Sequence, residues 1–72
     1  MQQYVPIQSY YSYLTANLVL TKLQDEHISC HLLNEHTMLA DPLLGNAIGG
    51  IQLMVHHAQL TRAIEIMKMF NQ

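Results

Sequence analysis

The spacing of apolar positions changes along the chain, and each change marks an element. Tyr4, Val5, Ile7 and Tyr10 supply the β-branched and aromatic side chains of a first strand over 4–10. Pro6 interrupts it, so either the strand begins near Ile7 or Pro6 turns its missing donor away from a neighbouring strand. From about Ser12 the period becomes helical: Ala16, Val19, Leu20 and Leu23 fall at i, i+3, i+4 and i+7, and Leu14 and Leu18 widen the same stripe. Ser12 can cap the first turn, the helix ends near Glu26, and His27 marks the turn that follows.

Alternation returns at Ile28, Cys30 and Leu32, which predicts a second strand with one buried face, and again at Ile51, Leu53 and Val55, which predicts a third. The two strands are expected to be neighbours. The stretch between them, His36 to Gly50, is too long for a hairpin turn and too apolar for a flexible linker. Asp41-Pro42 predicts a short helical turn through Leu43 and Leu44, released at Gly45. A final helix is expected over about His57–Phe70, with Leu60, Ala63, Ile64 and Met67 on one face and Ile66, Met69 and Phe70 on an adjoining one. That apolar arc is wider than one sheet face needs.

The order strand, helix, strand, strand, helix predicts one α+β domain over residues 1–72, with two helices on one face of a mainly antiparallel sheet. This is most of a ferredoxin-like sandwich. Only Asn71 and Gln72 follow the second helix, so the closing fourth strand is expected to be missing and a sheet edge to stay open.

Composition changes this picture in one respect. Half of the 72 residues are apolar and 11% are charged, an apolar balance for a domain with so much surface, which predicts that a second copy or another partner covers part of it. The net charge is −2, and Lys22, Arg62 and Lys68 are spread out, so nucleic acid and anionic membrane surfaces are not expected partners. No run approaches the length of a membrane span, and Met1-Gln2-Gln3-Tyr4 lacks the plan of a signal peptide, which points to the cytoplasm.

The runs Leu23-Gln24-Asp25-Glu26-His27-Ile28 and Asn34-Glu35-His36, followed by Asp41 through Val55 with its Gly49-Gly50 pair, resemble the family of prokaryotic signal transducing proteins. The resemblance spans about Val5 to Met67 and is most specific from Pro42 to Val55. It implies a bacterial regulatory or sensing domain of unknown biochemical function, similar in fold to the PII-like nitrogen-regulatory proteins, with no catalytic residues to carry over. Two positions depart from the family pattern. His27 stands where glycine is usual after the first helix, and His56-His57-Ala58-Gln59 stands where acidic residues usually precede the second.

Candidate chemistry is sparse. The acidic residues show no paired spacing, and the expected function is a non-catalytic homodimeric module that binds a small molecule or a protein partner and needs no cofactor. Asp41, Leu43, Leu44, Asn46, Gly49 and Gly50 are the candidate contact residues, because a long packed loop on a rigid sheet commonly forms a lid or contact surface. The Gly49-Gly50 pair either admits a ligand to the backbone or simply makes the turn into Ile51. The alternative function is a metal-responsive sensor using Cys30, His31 and His36, although Cys30 and His31 should point to opposite faces of their strand.

Overall fold

The computed structural model describes residues 3–35 and 50–70. The order is β1 (Tyr4–Tyr10), α1 (Tyr13–Asp25), β2 (Cys30–Leu33), β3 (Ile51–His56), a 3-10 turn (His57–Gln59) and α2 (Leu60–Phe70). The expected helical turn at Leu43 and Leu44 lies outside the described residues.

Ser12 caps α1 as its sequence position implies: its backbone is extended and its hydroxyl accepts from Thr15 N at 3.4 Å. The other end closes in a Schellman motif, with Ile28 N donating to Leu23 O and His27 N to Gln24 O, both at 3.0 Å. This motif requires a left-handed residue after the cap, and His27 adopts it at φ 63°. An L-residue with a Cβ pays about 1–2 kcal/mol for that conformation, partly offset by the greater freedom glycine has when unfolded. His27→Gly is therefore expected to raise stability by about 0.5–1 kcal/mol, measured by chemical denaturation. Because Ile28 is spent on closing the helix, β2 begins at Cys30 instead of Ile28, yet the Ile28 side chain still enters the core.

Among the described residues the sheet has three strands in the order β1-β3-β2, and both pairings are antiparallel. The third strand is thus central. Its alternate residues Ile51, Leu53 and Val55 are fully buried, while Gln52, Met54 and His56 point to the other face. Pairing puts Cys30 opposite Val55 and Leu32 opposite Leu53 on the buried face, and His31 opposite Met54 and Leu33 opposite Gln52 on the open one. On the other side, the register of β1 shifts between Pro6 and Gln8, so that Ile7 is the extra residue of a bulge.

The direction of Pro6 follows from the ladder. His57 N donates to Gln3 O at 2.9 Å, and Tyr4 lies opposite His56, so the backbone groups of Gln3 and Val5 face β3 while those of Tyr4 and Pro6 face outward. Pro6 therefore costs the sheet no hydrogen bond, and the strand runs through it from Tyr4.

Both helices contribute to one core on the face bearing Ile51, Leu53 and Val55: α1 through Ala16, Val19 and Leu23, α2 through Ala63, Ile66 and Met67. Two expected helix faces are corrected. Leu14 and Leu18 do not widen the core stripe; they are 78% and 63% exposed on the opposite side of α1, because the fully buried Ala16 brings the helix backbone close to the sheet and sets which side turns inward. In α2 the buried face is Ala63, Ile66 and Met67, whereas Ile64 and Met69 are exposed. A 3-10 turn at His57–Gln59 precedes the α-helix proper, which begins at Leu60 and not at His57 as expected.

Candidate functional site

Of the candidate loop residues, Asp41, Leu43, Leu44, Asn46 and Gly49 lie outside the described residues, as does His36. Gly50 is described, and its role is structural. It has φ 83°, and a Cβ built there would stand 2.7 Å from the backbone oxygen of Tyr10. The close approach is to the chain's own first strand, at the point where Tyr10 pairs with Ile51.

Cys30 and His31 occupy opposite faces of β2, as their adjacent positions require. The Cys30 thiol lies on the helix side, half-buried, 3.5 Å from Ile28 O, and burial pushes its pKa up. A thiol held protonated in this way is a poor metal ligand and a poor nucleophile. Among the described residues, no three His, Cys, Asp or Glu side chains come together in a geometry that could hold a metal ion.

The histidines instead hold the fold at one end of the open sheet face. The Tyr4 ring lies edge-on to His31 at 4.8 Å and to His56 at 5.4 Å, and His57 stacks on His56 at 4.7 Å. The Tyr4 hydroxyl pairs with the Ser29 hydroxyl at 2.6 Å, so one side chain of β1 reaches across β3 to the start of β2. His56 Nδ1 accepts from Ala58 N at 3.1 Å and caps the 3-10 turn, which places its ring hydrogen on Nε2. Gln59 completes the junction: its Oε1 accepts from Ser29 N at 2.7 Å and its Nε2 donates to His27 O at 3.0 Å. His56 and Gln59 therefore serve as a cap and a clamp on the α1–β2 turn.

A concavity lies between the helices. A groove of about 380 Å³ is lined by Lys22, Asp25 and Glu26 at the end of α1 and by Ile66 and Met69 of α2. Arg62 donates to Glu26 at 3.3 Å beside it, an exposed pair worth little to stability. The groove has an apolar wall with Met69 75% exposed, a rim of both charges, and Leu18 one turn before Lys22 on the same side of α1. A second, smaller groove of about 300 Å³ runs between β1 and α2, lined by Ile7, Gln8, Ile64, Met67 and Lys68. Nothing in the sequence isolates either groove, since each joins residues about 40 or more positions apart.

No protein-family model, curated protein or solved structure matches the chain. Among the described residues no helix is long and apolar enough to cross a membrane.

Proposed function

We propose that the chain is a non-catalytic, cytoplasmic regulatory module that works as a homodimer and binds a small molecule or a protein partner on its helix layer. The reading rests on one observation above all: large apolar side chains stand in water on the helix layer, Met69 in the wall of the groove between α1 and α2 and Leu14 and Leu18 on α1, each well over half exposed. A small domain rarely leaves such side chains uncovered together unless something occupies the surface. The three-stranded antiparallel sheet with two helices is compatible with a ferredoxin-like arrangement, and the resemblance of the sequence to the prokaryotic signal transducing family points to a regulatory class.

A thermal-shift screen against nucleotides, common metabolites, zinc and nickel tests the binding role. A ligand at 100 times its dissociation constant adds about 2.7 kcal/mol, enough to raise the midpoint by on the order of 10 °C. The expected result is a shift with an organic ligand that Met69→Ser abolishes while leaving the ligand-free midpoint nearly unchanged. A shift with metal alone would contradict the reading.

A further inference from the structure

The two edges of the sheet are not equivalent. On β1 the outward-facing backbone belongs to Tyr4, Pro6 and Ser9: Pro6 offers no donor, and the bulge at Ile7 breaks the repeat. Proline and a bulge are the two common devices that stop another strand from adding to an edge. The groove beside β1 also carries the cation Lys68. The edge that a fourth strand would cover is therefore blunted.

The edge of β2 carries neither device. His56 N donates to Ser29 O at 3.0 Å, so with Cys30 opposite Val55 the ladder alternates and the backbone N–H and C=O groups of Cys30 and Leu32 point away from β3. Among the described residues β2 is the outermost strand on this side of the sheet, and its segment contains no proline, bulge or charge. The neighbouring flank of α1 is uncharged as well. Lys22, Asp25 and Glu26 mark the side of α1 that faces α2, and 100° per residue places Tyr13, Asn17, Leu20 and Gln24 on the side facing away from it, above β2. Leu20 touches β2 directly, its carbonyl 4.0 Å from the Cys30 thiol. On the open face Leu33, 46% exposed, adds apolar surface next to the edge.

From this we infer that β2 pairs antiparallel with β2 of a second copy, joining two three-stranded sheets into one of six strands across a two-fold axis. The occupant follows from the chemistry. Outward N–H and C=O groups ask for another strand, and an isologous contact sets each residue near its own copy, which a surface without charge tolerates and a surface with Lys68 does not. The inference rests on the homodimer reading above and adds the surface used.

Amide hydrogen exchange on the full chain at two protein concentrations tests it. The Cys30 and Leu32 amides are expected to exchange at least about tenfold more slowly at the higher concentration, while those of Tyr4 and Ser9 stay fast at both. Asn17→Lys with Leu33→Lys should abolish the concentration dependence and weaken association at least about tenfold; Gln8→Lys, at the β1 edge, should not. A monomer at every concentration sinks the dimer and this surface together. A dimer in which Tyr4 and Ser9 become protected, or which Gln8→Lys dissociates, leaves the homodimer standing and overturns the β2 interface alone.

Discussion

Replacing Gly50 by alanine is expected to remove about 2–4 kcal/mol of stability and to lower the melting midpoint by on the order of 10 °C or more. Two costs combine. At φ 83° any L-residue sits in the left-handed half of backbone space, worth about 1–2 kcal/mol. The new methyl group would also stand 2.7 Å from Tyr10 O, and that oxygen belongs to backbone at the β1–β3 pairing, so it cannot swing aside as a flexible side chain would. Gly50→Asn separates the costs. Asparagine tolerates the left-handed region but carries the same Cβ, so it should recover only part of the loss. Recovery close to wild type would show that the contact with Tyr10 is unimportant.

The second large effect is expected at Leu53. This side chain is fully buried at the centre of β3, opposite Leu32 on one side and the bulge of β1 on the other, and it faces both helices. Leu53→Ala should cost about 2–5 kcal/mol through lost burial and the cavity left behind. For a 72-residue domain whose total stability is roughly 4–10 kcal/mol, that approaches global unfolding at room temperature. Leu33→Ala, on the open face of β2, should change stability by less than about 1 kcal/mol. Equal losses at Leu53 and Leu33, followed by urea denaturation, would contradict the assignment of faces.

The strands were legible because their cues are local. Alternation at Ile51, Leu53 and Val55 announces a half-buried strand whatever it pairs with, and all three side chains are buried. The helix caps were legible for the same reason: Ser12 and His27 act within one turn of themselves. In α1 the periodicity of Ala16, Val19 and Leu23 marks the stripe that is buried, whereas Leu14 and Leu18, expected to widen it, lie on the opposite side of the helix.

The pairing of β2 with β3 was expected and is found, but the place of β1 was hidden, and with it the open face. Only once β3 lies between β1 and β2 do Tyr4, His31 and His56, from three strands, become neighbours at one end of the sheet. The described histidines and Cys30 then take separate places. His27 takes a left-handed cap, His56 caps the 3-10 turn, and Cys30 turns its thiol to the helix side, away from His31. The clamping role of Gln59 carries no local cue. Its two hydrogen bonds to residues about 30 positions away have no signature in local sequence.

In the proposed homodimer a second copy covers the outer edge of β2. Sedimentation equilibrium of the purified full chain, run from low to high micromolar concentration, tests it most directly. The account predicts a reversible monomer–dimer equilibrium with the dimer dominant at the top of that range. A single species at the monomer mass of 8.3 kDa throughout would contradict it.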